Sequence, residues 1–481
     1  MIVQTALFRP GPIIGGFVRP YVARRQAKQR DAVQTPWRGH PADDFWTAHP
    51  VLGPILRASE GILLFQEQIL EIAHQFAGLS YADAEGFRRA MSHARTRDEM
   101  EAMRARFMAG AIACGESVAD STRVFEAISH FVGYGFCKSH AAEFARTIYQ
   151  TAYLKAHFPA HYLAAFLSAQ PAGFFPPHVV LEEAKLLQIP VLGVDVNRSE
   201  DRFSVERVGS PPGRWAIRIG LRQVRHVGEE LARAILWERR PVDETGQMWE
   251  RPFVSLWDLC RRLRPAGLTW QAAEALIRVG ACDGLAPRMA RRQRLWQLHE
   301  LWSLASARGA QQRRGRRQAA LLPELEQLTL AWEFSPEELQ DVPVLPALDR
   351  EQQSILDYRL LGLSSRPHPM RLQRPALRKR GILTIAELAN VPAGRVVRVA
   401  GWPISAQRPP TAKGMGFAVI EDETGRLPVA LPPQLAAEMQ RTIRDARYLV
   451  VVGRLERVRW YRSVLAVQVY GVHHPARTTA V

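Results

Sequence analysis

The stretch Phe131-Val-Gly-Tyr-Gly-Phe-Cys-Lys-Ser-His140 decides how the first half of this chain is interpreted. A Gly-Tyr-Gly turn precedes Lys138 and Ser139, and the apolar periodicity of the residues that follow, through His157, predicts a long helix. The start of a helix offers free backbone N–H groups and the positive end of the helix dipole, which together favour an anion. The segment therefore predicts a site for a triphosphate or a nucleic-acid backbone. The alternative is an ordinary helix start, with Ser139 as the cap and Lys138 solvated.

Four blocks of the sequence resemble, in the same order, the family C bacterial DNA polymerases, the polymerase III alpha-subunit family. They are Arg9-Pro-Gly-Pro12, Gly61-Ile-Leu-Leu-Phe-Gln-Glu-Gln68, Phe87-Arg-Arg-Ala-Met91 and the segment from Tyr134 through His157. The resemblance implies a helical fingers domain. It also implies a DNA-directed DNA polymerase, active in replication or in damage-induced translesion repair, whose substrates are DNA and deoxynucleoside triphosphates.

Two runs bear on the branch of this family. Leu167-Ser-Ala-Gln-Pro-Ala-Gly-Phe-Phe175 is similar to the sequence of the error-prone branch, whereas Cys137-Lys138 is closer to the replicative branch. The sequence therefore favours the error-prone branch and leaves the replicative one open.

The resemblance implies that the fingers contact the incoming triphosphate. The residues expected to do so are Arg88, Arg89, Lys138 and His140, with Tyr134 near the base or sugar. Because Arg88 and Arg89 are adjacent on a helix, they point to different faces, and at most one can lie directly over a given phosphate. The alternative is that the two arginines are ordinary surface charges.

The charge balance favours a polyanionic partner. Lys plus Arg is 64 against 47 for Asp plus Glu, which gives a net charge of +17, and a basic excess of this size is typical of nucleic-acid-binding proteins. The four cysteines lack metal-ligand spacing, so we expect reduced thiols, no zinc site and a cytoplasmic protein. Neither a signal peptide nor a membrane span is predicted.

The predicted fold is an α+β multidomain protein, in which a mainly helical fingers and helix-hairpin-helix region is followed by a β-barrel of the OB-fold type. The predicted boundaries are 1–50 for a palm-to-fingers connecting segment, 51–200 for the fingers, 201–300 for the helix-hairpin-helix region, 301–390 for a basic, Pro-rich linker with helices, and 391–475 for the barrel. Regular structure is expected to be sparse in 1–50. There Arg9, Arg24 and Arg25 are expected to face DNA, unless the segment is a solvated loop.

Residues 219–235 have the pattern of a helix-hairpin-helix motif, with a short turn, Gly228 and a second helix. Such hairpins hold DNA phosphates on backbone N–H groups at a helix start. Arg225, Val227 and Gly228 are therefore predicted to contact DNA. His226 occupies a position where the usual hairpin has glycine, which argues against the usual turn.

Five strands are predicted at 395–404, 416–421, 427–431, 448–458 and 463–472, with a helical patch at 433–446. This arrangement suits an OB-fold, which binds single strands on aromatic and basic side chains. The stacking candidates are Trp402, Phe417, Trp460 and Tyr461; the alternative is that these aromatic residues form the barrel core.

Gln327-Leu-Thr-Leu-Ala-Trp332 precedes the predicted barrel and resembles the clamp-binding peptide of family C polymerases, Gln-Leu-x-Leu-Phe. Gln327, Leu328 and Leu330 match that form, whereas Ala331 stands where Phe is expected. The implied partner is a sliding clamp, whose pocket would take the leucines while the glutamine bonds at the rim. The alternative is a helix turn packed on the barrel.

Nucleotide transfer needs two divalent metals held by carboxylates. The resemblance implies that these carboxylates lie in a palm, N-terminal to the Arg-Pro-Gly-Pro block, and no Asp-x-Asp pair in a strand-like context occurs here. We therefore expect no catalytic residue, no bound metal and no primer extension by this chain alone. Mg²⁺ is expected only in an assembly with a palm-bearing polypeptide. The alternative is a non-catalytic DNA-binding or scaffold protein derived from such a polymerase.

Overall fold

The computed structural model describes residues 1–8, 12–13, 16–31, 44–93, 97–130, 136–173, 175–241, 246–315, 342–438, 442, 446, 448–458 and 461–472. The chain divides into two compact units, Met1–Leu154 and Lys155–Val481. Helices build the first unit, and the second contains helices, a small sheet and a closed barrel. The predicted α+β fold class is confirmed.

The first unit consists of helices joined by short connections. They are Ile2–Leu7, Val18–Asp31, Asp44–Ala48, Leu52–Leu56, Gln66–Gln75, Tyr81–His93, Arg97–Ala113, Val118–His130 and Lys138–His157, the last of which ends in the second unit. Three of these helices begin within residues 1–50, so the prediction of sparse regular structure there is wrong. The helix Val18–Asp31 is too polar for apolar periodicity to reveal it.

Aromatic side chains form the centre of the first unit. The ring centroid of Phe107 lies 6.0 Å from that of Phe76, 5.6 Å from that of Phe87 and 5.7 Å from that of Phe125. All four rings are buried. Each comes from a different helix or helix end, so the cluster holds four helical segments together through burial and aromatic contact.

The second unit begins with helices and a three-stranded sheet that the sequence did not predict. The strands β1 (Val191–Leu192), β2 (Ser204–Val208) and β3 (Arg214–Arg218) are ordered β1-β3-β2, with β1 parallel to β3. Its helices are Pro159–Ser168, Pro177–Leu186, Glu229–Arg239, Leu256–Leu263, Trp270–Val279, Arg291–Gly315, Arg350–Leu361, Met370–Lys379 and Pro433–Glu438. The helix Arg291–Gly315 extends into the segment where a linker was expected.

The predicted barrel is confirmed. Its strands are β4 (Val396–Gln407), β5 (Gly416–Asp422), β6 (Gly425–Leu431), β7 (Tyr448–Val458) and β8 (Tyr461–Val472), closed in the order β4-β5-β6-β8-β7. All neighbouring pairs are antiparallel except β6 with β8. Alternate side chains of β4, such as Val397 and Val399, point into the barrel core. The side chain between them, Arg398, is exposed.

We predict opposite effects for alanine at two helical glycines of the first unit. A Cβ at Gly110 would lie 2.1 Å from the backbone oxygen of Ala77, whereas a Cβ at Gly86 would have nothing within 4 Å. Gly110→Ala should therefore lower the free energy of unfolding by ~1–3 kcal/mol, because the two segments must separate. Gly86→Ala should raise it by ~0.5–1 kcal/mol through better helix propensity. Denaturant unfolding followed by circular dichroism measures both, and equal midpoints for the two variants would contradict the close approach.

Candidate nucleotide and nucleic-acid site

The start of the helix Gln66–Gln75 is fixed by the buried side chain of Gln68. Its Oε1 accepts hydrogen bonds from the backbone N–H groups of Leu64, at 2.8 Å, and Phe65, at 3.0 Å. Its Nε2 donates to Ser59 Oγ at 2.7 Å. The amide thus satisfies two N–H groups that the helix itself leaves unpaired, and it ties the preceding loop to the helix.

The neighbouring Glu67 joins this helix to the start of the helix Lys138–His157. The backbone N–H of Lys138 donates to Glu67 Oε1 at 2.9 Å and to Oε2 at 3.0 Å, and the thiol of Cys137 donates to Oε1 at 3.4 Å. The backbone N–H of Gln66 donates to the oxygen of Phe136 at 3.0 Å. The N–H groups at this helix start, where a phosphate was predicted, are therefore bonded to an internal anion, the carboxylate of Glu67.

Arg88 and Arg89 share the carboxylate of Glu85. Arg88 donates to Glu85 Oε1 and Oε2, both at 2.7 Å, and to Gln66 Oε1 at 3.0 Å. Arg89 donates to Glu85 Oε1 at 2.7 Å, and its side chain is 71% exposed against 20% for Arg88. The two arginines therefore differ as expected for adjacent helical positions: Arg88 turns towards Gln66, and Arg89 towards solvent.

Hydrogen bonds between these arginines and Glu85 shift the pKa values of the Glu85 carboxyl and of Arg88. The guanidinium of Arg88, followed by that of Arg89, lowers the pKa of the Glu85 carboxyl from 4.5 to about 2. The hydrogen bond with Glu85 raises the pKa of Arg88, and the charge of Glu67 adds to this effect. Arg88 therefore lies within electrostatic reach of the carboxylate that receives the Lys138 amide.

The predicted nucleotide-binding residues are thus partly brought together. Arg88 and Lys138 flank the Gln66–Glu67 dipeptide, and the exposed ammonium of Lys138 makes no hydrogen bond or ion pair within the described part of the chain. The exposed ring of His140 lies 5.2 Å from that of Phe136 and 4.6 Å from that of Phe144. Tyr134 lies outside the described residues.

Glu60 accepts hydrogen bonds from three basic side chains of the helix Val18–Asp31. Arg24 donates to its backbone oxygen at 2.8 Å, while Arg25 and Lys28 each lie 3.2 Å from Oε1. The side chains of Arg25 and Lys28 remain 53% and 48% exposed. One carboxylate facing two half-exposed cations leaves a positive surface, suitable for a phosphate backbone. Arg9 lies outside the described residues.

The hairpin turn in the second unit uses two of its backbone N–H groups internally. Arg225 donates its N–H to the oxygen of Leu360 at 2.8 Å, and Val227, which is buried, donates to the oxygen of Val224 at 3.0 Å. His226 has φ +71°, so it adopts the left-handed conformation that glycine normally supplies in such a turn. The turn therefore forms despite the missing glycine.

Carboxylates follow this turn directly. Gly228 precedes the helix Glu229–Arg239, and Glu229 and Glu230 lie in its first turn. Acidic residues there stabilise the helix by countering its dipole, and they disfavour an external phosphate at the same place. Of the two backbone N–H groups expected to hold a phosphate, that of Val227 is used internally, and the side chain of Arg225 is exposed.

The aromatic candidates of the barrel occupy different environments. The ring of Trp402 lies 4.9 Å from that of Tyr358 and 5.8 Å from that of His178, so it packs against helices of the same unit. Phe417 and Tyr461 are 39% and 46% exposed. Trp402 therefore packs on helices and is not part of the barrel core, while Phe417 and Tyr461 are partly exposed.

Arg426 strengthens this attachment of the barrel to the helices. Its guanidinium donates to Glu183 Oε2 at 2.7 Å and to the backbone oxygen of Val179 at 2.6 Å. It also donates to Glu421 Oε2 at 2.7 Å, within the barrel. A strand of the barrel is therefore bonded to the helix Pro177–Leu186 by charge-assisted hydrogen bonds.

Several predicted features lie beyond what the structure describes. Trp460 and the clamp-binding residues Gln327, Leu328 and Leu330 are outside the described residues. Within the described ranges, no group of three or more His, Cys, Asp or Glu side chains is placed to hold a metal ion. In the same ranges, the helices are too short or too polar to span a bilayer.

The sequence interpretation missed Glu67 and Glu85, the carboxylates that organise the site. Glu67 lies within the Gln66-Glu67-Gln68 run of a block used for the resemblance, and Glu85 lies three and four residues before the two arginines. That spacing is the usual one for helical ion pairs and could have revealed Glu85. The bond from Glu67 to Lys138 spans 71 positions, and no local pattern predicts it.

Comparisons with known proteins agree with this architecture. Residues 1–115 match the bacterial DNA polymerase III alpha subunit finger domain, and residues 188–294 match the helix-hairpin-helix motif, which confirms that prediction. The chain is 38% identical over 90% of its length to an error-prone DNA polymerase of Symbiobacterium thermophilum, and 35% identical over 95% of its length to one of Anaeromyxobacter sp.. It spans 39% and 36% of those two proteins.

We predict that Glu85 stabilises the first unit in a pH-dependent way. Its pKa is about 2 in the folded chain against 4.5 for the free group, so its contribution is complete above about pH 4.5 and is lost as the pH falls through about 2. Glu85→Gln should therefore lower the unfolding midpoint near neutral pH, by an amount that shrinks below about pH 4.5. Thermal unfolding across this range measures the difference. The control is Glu126→Gln, an exposed carboxylate of the same unit; a pH-independent difference for Glu85→Gln would contradict the assignment.

Proposed function

Because the chain is a polymerase III alpha-like protein of family C, we propose that it supplies the nucleotide- and DNA-binding surfaces of an error-prone DNA polymerase. The names of its relatives, error-prone DNA polymerases, support DNA synthesis as the activity. Damage-induced translesion repair is our proposal for its setting. The metal-binding carboxylates are proposed to come from a palm, on the same polypeptide or on another. Mg²⁺ held there would activate the primer hydroxyl and stabilise the leaving pyrophosphate.

The observation that carries this proposal is the anion-binding start of the helix Lys138–His157. A carboxylate already receives the Lys138 amide, and Arg88 is oriented nearby by Glu85 and Gln66. We infer that the incoming triphosphate exchanges with these internal carboxylates. The guanidinium of Arg88 and the ammonium of Lys138 would then bond phosphate oxygens. The negative charge of the phosphate would replace that of the carboxylate at the helix start.

The proposal predicts a loss of nucleotide use in a polymerase assembled with a palm. Arg88→Ala and Lys138→Ala should each lower kcat/KM for the nucleotide about tenfold or more, since a hydrogen bond to a charged group contributes ~1.5–3 kcal/mol. Arg146→Ala is the matched control, because it removes an exposed cation of the same helix, roughly 12 Å from Lys138 along the axis. Steady-state primer extension measures all three variants.

Two outcomes would overturn this function. Primer extension by the isolated chain with Mg²⁺ or Mn²⁺, lost on mutating one of its own carboxylates, would show that no palm is needed. Unchanged kinetics for Arg88→Ala and Lys138→Ala, with salt-dependent DNA binding intact, would favour the non-catalytic DNA-binding protein instead. Whether the chain acts in a polymerase or only binds DNA, the logarithm of its affinity for single strands should fall with the logarithm of the salt concentration. The expected slope is roughly 0.7 per neutralised phosphate.

A sliding clamp is proposed as a further partner through Gln327, Leu328 and Leu330. The support is the sequence pattern alone, a glutamine followed by two leucines, which suits docking into an apolar pocket with the amide at its rim. A peptide of residues 322–336 should bind a bacterial clamp saturably in a fluorescence titration. The same peptide with Gln327→Ala and Leu330→Ala should not, and equal binding by both peptides would end the proposal.

A further inference from the structure

A pocket of about 210 Å³ lies beside the hairpin turn of the second unit. Its lining includes three arginines, one from each of three elements: Arg225 of the turn, Arg278 of the helix Trp270–Val279 and Arg359 of the helix Arg350–Leu361. His226 and one carboxylate, Glu274, complete its titratable lining. We propose that this pocket binds a phosphate group, which the side chains of Arg225, Arg278 and Arg359 would hold.

Two of these three arginines, Arg225 and Arg359, differ from their neighbours because they lack a carboxylate partner in the part of the chain that the structure describes. Most nearby arginines bond carboxylates within 4 Å, among them Arg222, Arg233, Arg239, Arg240, Arg251, Arg262, Arg291 and Arg294. Within the described residues, the side chains of Arg225 and Arg359 form no ion pair and no hydrogen bond, although both face the same pocket. Two unpaired guanidiniums in one concavity repel each other unless an anion lies between them.

The backbone bond at the turn explains why this pocket exists. The N–H of Arg225 donates to the oxygen of Leu360 at 2.8 Å, which places the turn beside the last turn of the helix that carries Arg359. The bond uses the N–H of Arg225, which leaves the guanidinium of that residue to face the pocket. The pocket therefore offers guanidinium side chains from neighbouring elements, and guanidiniums bind phosphate oxygens in pairs.

The size of the pocket limits the ligand. Pockets that enclose whole small molecules usually have ~300–1,000 Å³, whereas this one has about 210 Å³ and is lined mainly by polar side chains. It therefore suits one phosphate group rather than a nucleotide with its base. Such a group could belong to a nucleic-acid backbone or to free phosphate or pyrophosphate, and the experiment separates these sources.

Glu274 is expected to weaken the site. It accepts hydrogen bonds from Arg278 Nη2 at 2.6 Å and Nε at 3.0 Å, so it competes with a phosphate for that guanidinium. Glu274→Gln should therefore strengthen phosphate binding. This opposite sign is useful, since a misfolded variant would not gain affinity.

The inference rests on the proposed function for its DNA ligand, and the test uses the full chain with primer-template DNA. The double variant Arg225→Gln/Arg359→Gln should weaken DNA binding about tenfold and reduce the salt slope by roughly 0.9, corresponding to one phosphate. Glu274→Gln should increase DNA affinity. Arg233→Gln is the matched control, since it removes an exposed arginine that already bonds Glu229, and it should change affinity less than twofold.

Calorimetric titration with inorganic phosphate and pyrophosphate on the same variants forms the second arm. If the double variant loses DNA affinity and Arg233→Gln does not, the ligand is a phosphate of the nucleic-acid backbone. Unchanged DNA affinity with loss of inorganic phosphate or pyrophosphate binding supports the free anion. If the double variant and Arg233→Gln behave alike in both titrations, the site is refuted. Should the unmodified chain fail to bind DNA, the proposed function fails, and the phosphate titration still decides this inference.

Discussion

The hydrogen bonds of Gln66, Glu67 and Gln68 are the interactions on which the first unit depends most. Each of these consecutive side chains has a different partner: Gln68 bonds the loop before its helix, Glu67 the start of the helix Lys138–His157, and Gln66 the guanidinium of Arg88. One turn of helix thereby positions three separate segments. Because neighbouring residues of a helix are rotated by a fixed angle about its axis, the direction of one of these side chains determines the directions of the other two.

Internal carboxylates determine where the basic excess of this chain is available. Glu60, Glu67 and Glu85 each hold cations or N–H groups that would otherwise face solvent, and ion pairs likewise occupy most arginines near the hairpin. Net charge alone therefore overstates the binding surface. Within the described residues, Lys138, Arg225 and Arg359 are among the basic side chains that form no ion pair and remain available to a polyanion.

The sequence predicts elements with a strong local pattern and misses those determined by distant contacts. Alternation of apolar residues predicted β7 with its observed ends, and the hairpin pattern located the turn at His226. The helix Val18–Asp31 was missed because polar residues dominate it, and the small sheet because its strands are short. In the site, the arginines were expected from the family resemblance, and Lys138 from the turn that precedes its helix. The carboxylate of Glu67 was not, since its partner is 71 residues away.

The packing of Trp402 against Tyr358 and His178, together with the bonds of Arg426 to the helix Pro177–Leu186, changes how the barrel takes part in binding. A module on a flexible linker samples many positions, and the effective concentration of its ligand depends on linker length. Here side-chain contacts hold the barrel against the helices. The effective concentration of its ligand therefore depends on the fixed position of the barrel and not on linker length. The proposal that one DNA strand contacts both the barrel and the hairpin therefore requires a strand whose path matches this fixed arrangement.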